Sequence, residues 1–253
     1  MAGKLRCEED FPMIVFLTAL GVGGATVAGS LIGFAFQRIS RRFSGISMAF
    51  AAGLMLSAAI LGLLLPAAGS GDLAAVVLGF FAGAVCIDLL DGLTPRLQRL
   101  AGVTANDEHT KNVLLFVTAI AVHNFPEGIA AGVSFGTGDI SNALLIAGSI
   151  ALQNLPEGMV IVAPMLAVGI SPGRTFLCAL ASGLMEVAGT FLGYFAVTIA
   201  SALLPFALAF AGGTMVYVIC DEMIPQAHSA GRGATYAFLA GFCLMLAADM
   251  LVG

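Results

Sequence analysis

Long apolar stretches separated by short polar or charged segments follow one another along the whole chain. They fall at about 11–36, 46–68, 73–93, 113–135, 143–170, 176–200, 203–224 and 234–252. Each is long enough to cross a hydrocarbon core roughly 30 Å thick as a helix that rises about 1.5 Å per residue. The pattern predicts an all-α polytopic membrane protein with eight spans, numbered here in chain order, that form a single transmembrane domain over residues 1–253.

The composition agrees with this pattern and excludes other classes. Of the 253 residues, 59% are hydrophobic and 10% are charged, whereas soluble domains carry about 25% charged residues. The net charge of -5 is spread over loops on two sides of a membrane, so nucleic acid is not an expected partner. The five cysteines show no CxxC spacing, and no disulfide framework is expected.

The basic residues predict the orientation. Eight of the ten Lys and Arg residues lie between an odd-numbered span and the next even-numbered one, at Arg38, Arg41, Arg42, Arg96, Arg99, Lys111, Arg174 and Arg232. Positively charged loops stay in the cytoplasm. We therefore expect both termini outside, a cytoplasmic loop at about 94–112 and, in a bacterium, a place in the inner (plasma) membrane.

A polar motif occurs twice inside the spans. Span 4 reads His-Asn-Phe-Pro-Glu-Gly from His123 to Gly128, and span 5 reads Gln-Asn-Leu-Pro-Glu-Gly from Gln153 to Gly158. Ionisable groups in mid-membrane are costly and therefore indicate function. By the helical rise, Glu127, Glu157 and Glu186 of span 6 all fall near mid-depth. The two prolines each remove a backbone donor, which predicts a kink or break that exposes carbonyl oxygens in both spans.

The spacing of the motif points to a cation. His123 and Glu127 are four residues apart, as are Gln153 and Glu157, and such pairs share one helix face. Buried carboxylates repel one another unless protons or a cation compensate. Asn124 and Asn154 each lie three residues before the same glutamates, so each helix has two ligand pairs that share one carboxylate. A carboxylate that bridges two ions would explain this arrangement. Imidazole nitrogen with hard oxygen ligands suits Zn²⁺, Fe²⁺, Mn²⁺ or Cd²⁺. A polar network that only locks the helices together is the structural alternative.

At this point the chain resembles the ZIP (zinc- and iron-transporter-like) family of divalent-metal transporters. The resemblance covers the eight spans, the long loop after span 3 and the His-Asn-x-Pro-Glu-Gly motif as it stands at His123 to Gly128. Family members often repeat the histidine in span 5, and Gln153 at that place resembles the bacterial GufA-like branch.

The resemblance implies metal uptake toward the cytoplasm through a binuclear centre. The first metal site would comprise His123, Glu127, Gln153 and Glu157, perhaps with Met55 of span 2, which can otherwise be a core residue. The second would comprise Asn124, Glu127, Asn154, Glu157 and Glu186. It also implies alternating access, in which spans 1, 4, 5 and 6 slide against spans 2, 3, 7 and 8, within a homodimer. The metal is then substrate, and no catalytic cofactor is expected.

Other polar residues lie near the predicted cytoplasmic mouth. The end of span 7, from Asp221 to His228, resembles the Glu-x-x-Pro-Glu-x-His ending of the family, with Gln226 where an acidic residue is common. Glu222 and His228 can form a release relay or be ordinary interfacial residues. Asp88 and Asp91 in span 3 can likewise belong to a release relay or be ordinary interfacial residues.

Two rival functions predict other residues. An intramembrane metal-dependent hydrolase would carry His-Glu-x-x-His, with the glutamate free as base, and span 4 does not. A proton-coupled carrier of an organic solute would show aromatic or cationic anchors, yet the chain has no Trp and three Tyr. We therefore expect a transporter and not an enzyme.

Overall fold

The computed structural model describes residues 2–36, 40–100, 108–228 and 230–252. This part of the chain is helical almost throughout and contains no β-strand. It forms eight helical spans that are long and apolar enough to cross a membrane, which confirms the predicted fold class. Arg38 and residues 101–107, the centre of the predicted loop, lie outside the described residues.

The eight spans have the following helical bounds. Span 1 is Ala2–Ala35; span 2 is Arg41–Ser57, continued by Ala58–Leu64 and Leu65–Gly69; span 3 is Leu73–Leu100; span 4 is Glu108–Ser134; span 5 is Ile140–Ala167; span 6 is Pro172–Ile199; span 7 is Leu204–Val218, continued by Ile219–Met223 and Ile224–His228; and span 8 is Arg232–Val252.

Several helices extend beyond the apolar stretches. The helix of span 1 begins at Ala2, that of span 3 continues to Leu100, and that of span 4 begins at Glu108. Much of the predicted loop 94–112 is therefore helical. Hydropathy marks only the part of a helix that fits the hydrocarbon core, whereas backbone hydrogen bonding continues into the polar zone.

The helix breaks expected at the prolines are not found. Pro126 and Pro156 lie inside the continuous α-helices of spans 4 and 5. Two π-helical segments occur instead in spans 2 and 7, at Ala58–Leu64 and Ile219–Met223. Such segments are rare and frequently lie near functional sites. Both flank the spans that carry the repeated motif.

The turn between spans 4 and 5 illustrates how the short connections are built. Gly138 has a φ of 78°, a left-handed conformation that favours glycine. Asp139 follows it, and its side chain accepts a hydrogen bond from the backbone N–H of Asn142 at 3.0 Å. This is an N-cap, which pairs a donor that the first helical turn would leave free. The ends of the spans on this side are called the short-turn end, and those that carry Arg42, Arg96, Lys111, Arg174 and Arg232 are called the basic end.

Backbone contacts at glycines join the spans into three groups, 1-4-5-6, 2-8 and 3-7. Spans 2 and 7 meet through the side chain of Leu64, which packs against Gly212, and the last two groups are together called the 2-3-7-8 bundle. An added Cβ atom would collide with the carbonyl oxygen of a neighbouring helix at glycines that join spans 1 and 5, 1 and 6, 4 and 6, 2 and 8, and 3 and 7; examples are Gly29, Gly183, Gly132, Gly53 and Gly83. Contacts of this kind need a residue without a side chain. They join spans within the 1-4-5-6 bundle or within the 2-3-7-8 bundle.

Side chains fill the space between the two bundles. The main apolar core is built mostly from Ala, Leu, Ile, Met and Val residues of spans 2, 4, 5 and 7, with one residue from each of the other four spans. Toward the short-turn end, Ile146 of span 5 packs against the backbone of Gly62, inside the π-helical segment of span 2. At the glycines of the described residues, the contacts between the bundles are made by side chains, whereas the close backbone contacts all lie within a bundle.

Candidate metal centre

The glycine of each motif brings its helix into backbone contact with a second helix. A Cβ atom on Gly128 would collide with the carbonyl oxygen of Glu186, and one on Gly158 with the carbonyl oxygen of Thr26. The span 4 motif therefore lies against span 6 at Glu186 itself, and the span 5 motif lies against span 1. These contacts bring Glu127, Glu157 and Glu186 into one region.

The predicted ligands are all buried. The exposed fraction is at most 6% for each of the eight, which are Met55, His123, Asn124, Glu127, Gln153, Asn154, Glu157 and Glu186. The three carboxylates lie near enough for the charge of Glu127 to act on both Glu157 and Glu186. Burying like charges together is very unfavourable without compensation. The region therefore needs protons or a cation.

The same residues leave oxygen atoms without hydrogen-bond partners. The buried oxygens of this kind are Asn124 Oδ1, Glu127 Oε1 and Oε2, Gln153 Oε1, Asn154 Oδ1 and Glu186 Oε2, and the nitrogen Gln153 Nε2 is unpaired as well. Buried polar atoms are nearly always paired, and exceptions call for an explanation such as an ion. Carboxylate and amide oxygens are ligands for divalent cations. The donor set fits a divalent metal ion as substrate.

Other atoms of these ligands are held by a surrounding layer of hydrogen bonds. Asn124 Nδ2 donates to Ser182 Oγ at 2.9 Å. Glu186 Oε1 accepts from Thr26 Oγ1 at 3.0 Å and from Asn154 Nδ2 at 2.8 Å. The sequence did not single out Thr26 or Ser182. The available signal was a small polar residue in an apolar, glycine-rich helix, a pattern common to many packing contacts.

His123 is turned toward the basic end. Its Nε2 lies 2.9 Å from Asp91 Oδ1, and its Nδ1 lies 3.0 Å from Glu222 Oε2. Both ring nitrogens face carboxylates, so neither is directed at Glu127 in this structure. One ligand atom each from Asp91, His123 and Glu222 lies within 4.8 Å of the others, an arrangement that could hold a metal ion.

The remaining polar residues at this end do not share one place. Asp88 accepts a hydrogen bond from Tyr217 Oη at 2.9 Å, so the two aspartates of span 3 face different partners. His228 is exposed at the end of span 7, one of the positions predicted for a relay. Met55 is fully buried within the apolar core between the bundles.

Three cavities lie at or near the basic end. A small one of about 20 Å³ is lined by His123, Glu157 and Glu222, with Gln226 at its side, and has room for about one water molecule or ion. A second, of about 480 Å³, contains Asp91 and Glu222. A third, of about 550 Å³, lies between spans 2, 4 and 5 and is mostly apolar. Gln226 lines all three.

Comparison with known proteins places the sequence in one family. Residues 98–249 match the model of the ZIP zinc transporters. Over 94% of this chain and 98% of the relative, it is 36% identical to the zinc transporter GufA of Myxococcus xanthus. It is 37% identical to the zinc transporter ZIPB of Bordetella bronchiseptica, over 90% of this chain and 78% of the relative.

A third relative, the zinc transporter ZupT of Chlorobaculum parvum, is 32% identical over 96% of this chain and 99% of its own length. The matches to GufA and ZupT thus extend over nearly the whole length of both proteins. Together with the eight spans and the repeated polar motif, they establish that this chain belongs to the ZIP zinc transporter family.

Proposed function

We propose that this protein transports divalent transition-metal cations across the membrane, with Zn²⁺ as its main substrate and Cd²⁺, Fe²⁺ or Mn²⁺ as further substrates. The observation that carries the proposal is the group of three buried carboxylates surrounded by unpaired amide and carboxylate oxygens. In the low dielectric of a membrane interior, a cation compensates such a group. Relatives named as zinc transporters favour Zn²⁺ over the other metals.

The proposed centre holds two ions. Glu127 and Glu157 would bridge them, with His123, Gln153 and Met55 completing the first site. Asn124, Asn154 and Glu186 would complete the second. The unpaired oxygens on Asn124, Asn154 and Glu186 support the second site. In the first site, Gln153 has an unpaired amide, whereas His123 must turn back from Asp91 and Glu222 to bind.

The proposed release route follows His123. A metal leaving Glu157 would enter the small cavity beside it, where His123 and Glu222 offer ligands, and then pass to Asp91 in the larger cavity. We place this route on the cytoplasmic side because it leads to the basic end. Glu222 thus takes the relay role proposed from the sequence, and His228 would act only farther out, where span 7 ends.

Alternating access is proposed to use the two bundles as units. Backbone contacts at glycines make the 1-4-5-6 bundle and the span pairs 2-8 and 3-7 hard to deform, whereas side-chain contacts between the bundles allow sliding. The cavities beside His123 and Glu222 lie toward the basic end, which supports assigning this structure to a state open toward that end.

The setting in the cell is part of the proposal. We place residues 1–253 in the membrane as one transporter domain, in the plasma membrane of a bacterium, with both termini outside. Only 17% and 11% of the residues in the most apolar windows of spans 3 and 8 are buried, which leaves apolar side chains free for lipid and for a second copy in a homodimer. Neither a catalytic role nor a catalytic cofactor is proposed.

The test is uptake by liposomes that contain the purified protein and an entrapped metal-sensitive dye. Native protein is expected to give saturable entry of Zn²⁺ and Cd²⁺. Glu127→Ala should nearly abolish entry, because it removes a ligand shared by both ions. Asp139→Asn is the matched control, since it removes a carboxylate outside the site and keeps the N-cap. If no metal enters liposomes that contain folded native protein, the proposal is contradicted. The next measurements would then be the metal content of the protein and a screen for hydrolase activity.

A further inference from the structure

A hydrogen-bond network from three spans surrounds Glu186. Thr26 of span 1 donates its hydroxyl hydrogen to Glu186 Oε1, and Asn154 of span 5 donates to the same oxygen. Asn154 Nδ2 also donates to the backbone carbonyl of Val22 at 3.3 Å. Thr26, Asn154 and Glu186 are fully buried. The network therefore lies in the dry interior and joins spans 1, 5 and 6.

The chemistry of the partners fixes the orientation of the amide. A backbone carbonyl and a carboxylate oxygen can only accept hydrogen bonds. The group of Asn154 that faces them must therefore be its NH₂, which leaves Oδ1 as the unpaired atom. By the same reasoning, two donors occupy Oε1 of Glu186 and leave Oε2 unpaired. Both unpaired atoms are oxygens, as a cation requires.

We propose that Thr26 is a positioning residue for the metal centre. Its hydroxyl holds Glu186, and through Glu186 it holds Asn154, so that Glu186 Oε2 and Asn154 Oδ1 face the ion. The inference rests on the proposed transport function and adds to it a residue of span 1 that does not itself bind metal. The contact of Gly158 with the carbonyl oxygen of Thr26 keeps span 1 in register with the span 5 motif, so the hydroxyl stays in place.

The loss of this hydroxyl has a defined consequence. A charge-assisted hydrogen bond in a buried site is stronger than a neutral one. Without the donor, Glu186 Oε1 keeps only Asn154, and the carboxylate can rotate. We expect the affinity for an ion bound by Glu186 to fall about tenfold, the typical effect of losing one hydrogen bond to a charged group.

The experiment is equilibrium binding of Zn²⁺ to the purified full-length protein in detergent. Thr26→Val, which keeps the shape and removes the hydroxyl, should weaken one class of bound Zn²⁺ about tenfold. Thr26→Ser, which restores the donor, should bind Zn²⁺ like the native protein. Thr214→Val is the matched control, because Thr214 is also buried and its hydroxyl bonds to the backbone carbonyl of Ala211 in its own helix, away from Glu186. It should leave binding unchanged.

A second pair of variants separates positioning from packing. In a Glu186→Ala background, Thr26 has lost its partner, so Thr26→Val should change Zn²⁺ affinity less than about twofold. An equal loss in both backgrounds would overturn the inference. So would native binding by Thr26→Val, or a loss in Thr26→Ser or Thr214→Val that matches the loss in Thr26→Val.

The failure of this inference differs from the failure of the transport proposal. If native protein carries Zn²⁺ into liposomes and Thr26→Val binds Zn²⁺ as tightly as native protein, only the role of Thr26 is wrong. If folded native protein neither binds nor carries Zn²⁺, the transport proposal fails, and the role of Thr26 fails with it. Thermal melting of each variant without metal identifies any that has not folded. If Thr26→Val does not fold, Thr26→Ala, which also removes the hydroxyl, takes its place and is compared with Thr26→Ser.

Discussion

The two bundles differ in how they use polar residues. The 1-4-5-6 bundle keeps Glu127, Glu157 and Glu186 in its interior, where the exposed fraction of each is at most 6%. The 2-3-7-8 bundle has acidic residues toward the basic end, among them Asp91 and Glu222, whose side chains are 22% and 20% exposed. His123 belongs to the first bundle and contacts the second. The comparison suggests that one bundle holds the cargo and the other receives it.

The contacts differ in the same way. Within each bundle, glycines allow backbones to touch, and any added atom meets a carbonyl group that cannot move aside. Between the bundles, side chains such as Ile146 and His123 make the contact, and a side chain can change rotamer or partner. The backbone contacts at glycines inside the bundles are therefore rigid, whereas the side-chain contacts between the bundles are adjustable. The following substitutions test this difference.

The largest effect on stability is expected at a backbone contact inside a bundle. Gly158→Ala places a Cβ atom against the carbonyl oxygen of Thr26 and should lower the free energy of unfolding by about 3 kcal/mol, at the upper end of ordinary overpacking. Zn²⁺ binding should be lost with it. Gly148→Ala, in the same span, meets nothing within 4 Å and should be neutral. Melting in detergent measures the stability of both variants. Equal stability would contradict a rigid backbone contact between Gly158 and Thr26.

A smaller effect on stability is expected at a side-chain contact between the bundles. Ile146→Ala removes a fully buried side chain that packs against Gly62, and should lower the free energy of unfolding by about 2 kcal/mol through the cavity it leaves. Zn²⁺ binding should persist, because every proposed ligand remains. Leu144→Ala, at a position 45% exposed in the same span, is the control. Loss of Zn²⁺ binding in a folded Ile146→Ala protein would argue against two separable bundles.

The polar contact between the bundles should affect the rate of transport. Asp91→Asn keeps the shape of the side chain but removes its charge beside His123, and should slow Zn²⁺ entry into liposomes by roughly tenfold. Asp88→Asn, one helical turn away and bonded to Tyr217, should leave the rate near native. Equal slowing by both variants would mean that general negative charge, and not the contact with His123, assists release.

The smallest effect is expected for a change of ligand inside the first bundle. Gln153→His adds an imidazole where the chain has an amide and should shift preference toward Zn²⁺ by a few fold, because imidazole nitrogen suits Zn²⁺ well. Competition among Zn²⁺, Cd²⁺ and Mn²⁺ during uptake measures the shift. An unchanged competition profile would indicate that Gln153 does not face the ion.

The fold was predictable to a large extent. Eight spans follow from hydropathy, and the depth of Glu127, Glu157 and Glu186 follows from the helical rise. Pro126 and Pro156 do not break their helices, because a proline removes one hydrogen bond without necessarily ending a membrane helix whose neighbours hold it in place. A kink at either proline stays a prediction. The π-helical segments in spans 2 and 7 have no simple sequence signal and were not predicted.

The sequence by itself determined which residues lie in the membrane and which of them are too polar for it, because these properties are local to each helix. The tertiary structure decided their partners. Spans that are apolar on all sides carry no stripe that tells which face meets which neighbour. Only the packed fold brings Thr26 to Glu186, 160 residues away, and turns His123 toward Asp91 and Glu222. These contacts depend on helix rotation and on backbone approach at glycines, which involve several spans at once.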